Sequence, residues 1–273
     1  MKTNPDVTAV AYNFIYDAPP TPQLYSGTTP ASPKLIAEVS NPGDPCNPVV
    51  ALIDTAYQPT GTSLDQFALK PISVTGEDCP PGSGITHATA MYQTILNAVA
   101  QSSGGHSGVR ILPINVFGCD GSANDWNLAK GMQAAATNGA TVFNMSLGGT
   151  SASAVLQDVA NQLLAQGVVI YAAAGNQPVN TPTFPAAFSG VNAVTALSAP
   201  GQLAAYANYG SFVAMALPGT SFVNFGNQTY AVQGTSPATA YATGVAVGTK
   251  SVNCLPWAQI ESAMQQKFPV PQK

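Results

Sequence analysis

The hydrophobic positions of this chain alternate between compact apolar runs and longer stretches with helical periodicity. Compact runs predict strands, and apolar residues that recur every three or four positions predict helices. Val155, Val159 and Leu163, for example, recur at every fourth position and give one apolar stripe. The predicted strands are 49–53, 109–117, 141–145, 168–172 and 191–197, and the predicted helices are 87–101, 125–138, 153–166, 236–248 and 256–267.

The order of these elements predicts the fold class. Strands that are apolar along their whole length are typical of a parallel sheet buried on both faces. Their alternation with helices predicts an α/β fold with three layers, in which a mostly parallel sheet carries helices on both faces. Functional sites of such sheets form at the carboxyl ends of the strands, so candidate residues are expected there.

The first 47 residues have a different pattern. Prolines are dense between residues 18 and 47, which breaks regular structure and predicts an extended segment on the surface. Residues 48–273 are long enough to form one packed domain. We therefore expect an extended region, 1–47, followed by a single globular domain, 48–273.

Composition limits the class of partner. Only 7% of the residues are charged, the net charge is −4, and no cluster of Lys and Arg occurs. Nucleic acids and anionic membrane surfaces are therefore not expected to bind. No apolar run reaches the length of a membrane span, and residues 1–6 lack the apolar stretch of a signal peptide, so a soluble protein is expected.

Four cysteines are widely spaced and form no C-x-x-C pair, which argues against a zinc or redox site. Disulfides in an exported, extracytoplasmic protein are the better explanation. The cysteines are Cys46, Cys79, Cys119 and Cys254.

Three residues with catalytic chemistry stand at predicted element ends. Asp54 ends the first apolar run, His87 opens the first long helix, and Ser236 opens a later helix after a glycine turn. Each also has a structural explanation: a turn cap for Asp54, an ordinary helix start for His87, and an N-cap for Ser236, which precedes Pro237. The second histidine, His106, lies in a glycine-rich stretch that predicts a surface turn.

Two further segments follow predicted strands. Asn176 ends Ala-Ala-Gly-Asn, where its amide could donate to an oxyanion, although a left-handed turn residue is an alternative. The segment 146–149, Ser-Leu-Gly-Gly, leaves backbone groups open to an extended peptide.

Together these segments resemble the motifs of the subtilisin family, in the same order, from about residue 48 to 268. The family's D-[ST]-G is similar to Asp-Thr-Ala at 54–56, its H-G-T-H-V-A-G to 84–90, and its G-T-S-M-A-[ST]-P to 234–240. Asn-Met-Ser-Leu-Gly-Gly at 144–149 and Ala-Ala-Gly-Asn at 173–176 are close matches.

The resemblance implies a serine endopeptidase that acts on polypeptides as a monomer without a cofactor. It implies Ser236 as nucleophile, His87 as base, Asp54 as its orienting carboxylate and Asn176 as an oxyanion donor. No metal is expected, because residues 88–119 and 159–260 contain no Asp or Glu. The implied substrate-binding residues are Gly121, Ser122, Ser146, Leu147, Gly148 and Gly149.

Departures from the motifs, such as Ile85 and Pro237, leave two alternatives open. One is a peptide-binding module that has lost turnover. The other is a ligase or cyclase in which an amine captures the acyl-enzyme. Residues 4–13 also resemble the closing strand of the family's inhibitory propeptide, which implies that residues 18–48 contain the junction with the mature enzyme.

The cysteines allow three pairings, and topology selects among them. Cys79 and Cys119 are expected at the active edge of the sheet, and Cys46 and Cys254 at the opposite edge. Because bridged α-carbons lie within about 7 Å of each other, pairs that span the sheet are excluded. Cys46 is therefore predicted to pair with Cys254, and Cys79 with Cys119.

Overall fold

The computed structural model of the protein describes residues 13–28, 33–41, 43–76, 84–198 and 201–272. Five α-helices are found in this part of the chain, α1 His87–Ser102, α2 Asp125–Thr137, α3 Ala154–Ala165, α4 Thr235–Asn253 and α5 Trp257–Lys267, and a short 3-10 helix spans Ser63–Phe67. The strands are β1 Ile15–Asp17, β2 Gln23–Leu24, β3 Ile36–Ala37, β4 Val49–Asp54, β5 Ile72–Ser73, β6 His106–Ser107, β7 Arg110–Asn115, β8 Ser122–Asn124, β9 Ala140–Met145, β10 Val169–Ala173, β11 Asn192–Ser198, β12 Gln202–Leu203, β13 Met215–Pro218, β14 Thr220–Phe225 and β15 Gln228–Gln233.

A central sheet organises the domain. Its strand order is β12-β11-β10-β9-β4-β7-β5, with β13 also paired to β11. All of these pairings are parallel except that of β12, which runs antiparallel to β11. The carboxyl ends of β4, β9 and β10 consequently meet at one edge of the sheet.

Helices cover both faces of this sheet. On one face, buried side chains of α1 and α4 form an apolar cluster that includes Tyr92, Ile95 and Val245. On the other face, α2 and α3 pack through a second cluster that includes Leu128 and Leu156. This arrangement confirms the predicted α/β fold with three layers. The prediction succeeded because the apolar periodicity of each element matches the layer that it occupies.

The stretch 220–230, to which the sequence pattern assigned no element, lies within a β-hairpin. β14 and β15 pair antiparallel along their full length. Gly226 and Asn227 join them, and both have positive φ angles, 57° and 62°. Two such residues form the tight turn that matches the twist of a hairpin, and glycine and asparagine adopt this conformation most easily. The two-residue turn was therefore the missed signal.

The described part of the proline-rich region adds short strands to the domain surface, and the division at residue 47 stays a prediction. β1 pairs with β8, β2 with β15, and β3 with β6. Residues 4–12, most of the stretch that resembles a propeptide strand, lie outside the described residues.

Cys46 and Cys254 form a disulfide bond with their α-carbons 4.7 Å apart. Cys46 precedes β4 and Cys254 follows α4, so the bond closes the amino edge of the sheet. Cys79 lies outside the described residues, and its pairing with Cys119 stays a prediction. None of the helices in the described ranges is long and apolar enough to cross a membrane.

Candidate active site

A carboxylate and an imidazole meet at the carboxyl edge of the sheet. β4 ends at Asp54, which is fully buried, and α1 begins at His87, which is 3% exposed. The Nδ1 atom of His87 lies 2.9 Å from both carboxylate oxygens of Asp54. The backbone N–H of Thr55 donates to Asp54 Oδ1 over 2.7 Å. Because both side chains are buried, this contact fixes the orientation of the imidazole ring and favours a proton on Nδ1.

Ser236 lies in the first turn of α4, where backbone N–H groups lack partners within the helix. Gly234 precedes the helix with a φ angle of 148°, which favours glycine, and a Cβ atom there would lie 3.1 Å from Asn176 Nδ2. The Ser236 hydroxyl donates to the backbone carbonyl of Ser146 over 3.1 Å. A weakly exposed hydroxyl is thereby presented at a positive helix end.

Asn176 follows β10 and is exposed at the same edge. Its side-chain oxygen accepts hydrogen bonds from the backbone N–H of Thr235 over 2.8 Å and from the Thr235 hydroxyl over 3.1 Å. Since the oxygen is held by Thr235, the opposite end of the amide, its NH₂ group, is available as a donor. Asn176 has no positive φ angle, so the alternative of a left-handed turn residue is wrong.

A buried network connects the strand end to α4. The hydroxyl of Ser146 donates to the Ser236 carbonyl over 3.1 Å and accepts from Asn144 Nδ2 over 3.0 Å. The Asn144 oxygen accepts from the Thr243 hydroxyl over 3.0 Å. Every polar atom in this chain of contacts has a partner, which holds β9 and α4 in a fixed relation.

A groove of about 510 Å³ opens beside Ser236 and Asn176, and residues 146–149 line it. Residues 14–20, called here the N-terminal segment, lie along this groove. Within the segment, β1 runs antiparallel to β8, and the Ala18 N–H donates to the Gly121 carbonyl over 2.9 Å. Gly121 and Ser122 therefore contact an extended peptide, and Gly149 lies against the ring of Tyr16.

The structure separates His106 from this group. His106 lies on β6, before the amino end of β7, and its side chain is 56% exposed. Its Nδ1 atom is 3.6 Å from Glu38 Oε1. This position is at the edge of the sheet opposite His87, where it cannot take part in the same chemistry.

Two residues of the site have no sequence signal that identifies their role. Thr235 holds the Asn176 oxygen, and Asp125, the first residue of α2, binds the Tyr16 hydroxyl over 2.6 Å. Asp125 has the pattern of an ordinary acidic residue in a first helical turn. Its contact with Tyr16 joins positions 109 residues apart, which local periodicity does not report.

Comparison with known proteins identifies close relatives. A family model described as the subtilase family matches residues 46–268. Thermitase from Thermoactinomyces vulgaris is 33% identical over 203 residues, which cover 72% of each protein. Subtilisin Savinase from Lederbergia lenta is 32% identical over 176 residues, 62% of this chain and 65% of that protein. Some other curated relatives are longer, and the match covers 46% of alkaline elastase YaB from a Bacillus species.

Solved structures share the same architecture. A protease from Pseudoalteromonas arctica has a TM-score of 0.65 and 26% identity, covering 80% of this chain and 82% of that chain. A cold-adapted subtilisin-like serine proteinase has a TM-score of 0.66 and 25% identity, covering 83% and 84%. The similarity therefore extends over most of the chain, and the family model spans the elements that carry Asp54, His87, Asn176 and Ser236.

Proposed function

The chain belongs to the subtilase family and is a serine endopeptidase, and we propose that Ser236, His87 and Asp54 perform its chemistry. The observation that carries this assignment is the buried contact between His87 Nδ1 and both Asp54 oxygens. A carboxylate in this position holds the ring so that Nε2 is the basic nitrogen, and it stabilises the imidazolium that forms during the reaction.

Acyl transfer then proceeds in two stages. His87 Nε2 takes the proton of Ser236 while Oγ attacks the scissile carbonyl carbon, and the same proton passes to the leaving amine as the C–N bond breaks. Water then attacks the acyl carbon and gives a proton to His87, and His87 returns this proton to Ser236 Oγ as the ester C–O bond breaks, which releases the acid and the free serine. In the structure the Ser236 hydroxyl donates to the Ser146 carbonyl, so this hydrogen bond breaks before the proton passes to His87.

The tetrahedral intermediate carries a negative charge on oxygen, for which two donors are available. The NH₂ group of Asn176 is exposed at the groove, because Thr235 holds its oxygen. The backbone N–H of Ser236 lies in the first turn of α4, at the positive end of that helix. Both donors are fixed before the charge develops, which is the property that makes such donors effective.

The N-terminal segment supports the assignment of the groove to peptide substrates. It runs as an extended strand beside Gly121 and Ser122 and along residues 146–149, as a substrate would. While it occupies this position, the segment excludes other peptides. We infer that it is an intramolecular inhibitor, and that its displacement or cleavage opens the groove.

Two other features, the disulfide and the single-chain groove, support an exported, monomeric protein. The Cys46–Cys254 disulfide is of the kind that persists in oxidising compartments. The groove is complete within one chain, so catalysis requires no second subunit.

Active-site labelling tests the assignment. A fluorophosphonate should label one serine in the wild-type chain, and peptide mapping should locate the label on Ser236. Ser236→Ala should remove the label and lower kcat by about 10⁶-fold, the size of this effect in subtilisin. Labelling without hydrolysis would favour the peptide-binding alternative, and a product extended by an added amine would favour the ligase. Label on another serine would overturn the assignment.

A further inference from the structure

We propose that Asp125 is a specificity-determining residue that selects substrates with a tyrosine at the position occupied by Tyr16. The proposal rests on the proposed function, because it treats the N-terminal segment as a substrate-like strand. It goes beyond that function by naming a substrate side chain and the group that recognises it.

The contact between the two side chains is short and enclosed. Both Tyr16 and Asp125 are 2% exposed, and the Tyr16 hydroxyl donates to Asp125 Oδ1 over 2.6 Å. The backbone N–H of Phe14 donates to Asp125 Oδ2 over 2.9 Å. Burial and the Asp125 carboxylate both raise the pKa of Tyr16, so the phenol keeps the proton that it donates. A neutral donor on a carboxylate is a charge-assisted hydrogen bond.

Asp125 depends on the N-terminal segment for its hydrogen bonds. Within the described residues, the Asp125 carboxylate accepts hydrogen bonds from the Tyr16 hydroxyl and the Phe14 N–H. When the segment leaves, the carboxylate faces the groove without these donors. When a substrate binds as an extended strand, a backbone N–H of the substrate replaces the Phe14 N–H, whatever the sequence of the substrate. The second donor must come from a side chain, and only a suitable side chain provides it.

The rest of the pocket fits an aromatic ring. Tyr16 belongs to the same apolar cluster as Ala123, Leu128 and Leu147. A Cβ atom at Gly149 would lie 2.9 Å from the ring, so the absence of a side chain there makes room for it. The walls therefore accept tyrosine and phenylalanine alike, whereas the carboxylate distinguishes them by the hydroxyl. Phenylalanine would leave Oδ1 of Asp125 buried and unpaired, which is costly for a charged group.

Two matched fluorogenic peptides test the proposal. Each peptide begins with the sequence of residues 14–18, and in one of the two peptides phenylalanine replaces the tyrosine. Both then continue with the same two residues, neither of which is proline, and the bond to be cleaved joins these two residues. We expect the kcat/KM for the tyrosine peptide to exceed that for the phenylalanine peptide by about tenfold or more. The N-terminal segment competes equally with both peptides, so its occupancy lowers both values by one factor and leaves the ratio unchanged.

Variants then assign the preference to Asp125. In Asp125→Ala the ratio should fall to within about twofold of one, while Asp125→Asn, which keeps a neutral acceptor, should retain part of it. Asp158→Ala, which removes an exposed carboxylate on α3, is the matched control and should keep the wild-type ratio. The wild-type ratio stands without any variant, so a misfolded Asp125→Ala protein would not remove the test.

Three outcomes would overturn the proposal: equal kcat/KM values for the two peptides in the wild type, a ratio that survives in Asp125→Ala, or a stronger preference for a lysine peptide, which would mean that Asp125 recognises charge. Absence of hydrolysis for every peptide would instead contradict the proposed function. The same pair of peptides would then be compared by affinity for the chain, where the same ratio is expected.

Discussion

Ser146 and Ser236 exchange hydrogen bonds: each hydroxyl donates to the backbone carbonyl of the other residue over 3.1 Å. The pair joins the end of β9 to the start of α4. Ser146 is the first residue after β9, and Ser236 is the second residue of α4. The position of the Ser236 backbone therefore depends on a strand that is 90 residues away in sequence. If Ser236 is the nucleophile as proposed, its geometry and the folding stability are consequently coupled at this point.

Replacement of Ser146 by alanine should lower the stability of the fold. The buried Asn144 amide would lose its acceptor and the Ser236 carbonyl its donor, at a cost of about 1–3 kcal/mol in the free energy of unfolding. Urea unfolding in a Ser236→Ala background, which prevents autolysis, measures this cost. Ser262→Ala, on the exposed side of α5, is the control, and an equal effect in both variants would contradict the role of the network.

The Asp54–His87 contact predicts the effect of Asp54→Asn. The amide oxygen would accept from the Thr55 N–H and the NH₂ group would donate to Nδ1, which moves the ring proton to Nε2 and removes the base. The kcat should therefore fall by about 10⁴-fold, as in other enzymes with a Ser-His-Asp arrangement. His106→Ala should leave kcat within about twofold, because this side chain is exposed at the opposite edge of the sheet. Steady-state kinetics on one peptide compares the two variants, and a similar loss in both would contradict the assignment.

The orientation of Asn176 predicts a change in turnover. In the proposed role, Asn176 donates to charge that develops in the transition state, so in Asn176→Ala kcat should fall about 10²–10³-fold while KM changes little. The matched control is Asn180→Ala, which removes an exposed amide in the loop that follows. A large rise in KM with unchanged kcat would mean that Asn176 contributes only to substrate binding.

The regular core of this fold could be predicted from the sequence because its signals are local. The strands β4 and β10 are apolar along nearly their whole length, β9 is mostly apolar, and the apolar stripe of α3 has helical spacing. Parallel order then brings the residues after those strands to one edge, which is why Asp54, Ser146 and Asn176 could be expected near each other.

Contacts that depend on long-range docking were not predictable in the same way. The partner of Asp125 is Tyr16, a residue in a proline-rich region whose pattern shows only that it is extended. The hydroxyl direction of Ser236 depends on the Ser146 carbonyl, which no side-chain pattern reveals. Local periodicity determines the elements, but it does not report which backbone groups meet after packing.

A second carboxylate predicts a dependence of stability on pH. Burial raises the pKa of Asp65, but hydrogen bonds from the Thr60 N–H and hydroxyl, the Tyr57 hydroxyl and the Gly61 N–H outweigh it, so the pKa lies below its usual value. A lowered pKa in the folded state stabilises the fold above the unfolded pKa, and this contribution is lost as pH falls through the folded value.

Asp65→Asn should therefore reduce stability near neutral pH and have a shrinking effect in acid. Since the residue is partly exposed, the difference should not exceed about 1 kcal/mol. Thermal unfolding of the parent protein and of Asp65→Asn from pH 7 to pH 3, both in the Ser236→Ala background, measures this difference in stability. A difference that grows toward acidic pH would contradict the sign of the shift.

The Cys46–Cys254 disulfide predicts a loss of stability that leaves catalysis intact. The bond joins residues separated by 208 positions and restricts the unfolded chain, so its removal should cost about 2–5 kcal/mol in the free energy of unfolding. Cys46→Ser, Cys254→Ser and the double variant should all lose the same amount, because either substitution already breaks the bond. Both cysteines lie at the amino edge of the sheet, opposite Ser236, so kcat measured well below the unfolding temperature should not change. Additive losses in the double variant would mean that the two side chains stabilise the fold independently of the bond. A large fall in kcat would instead mean that the amino edge of the sheet is coupled to the site at the carboxyl edge.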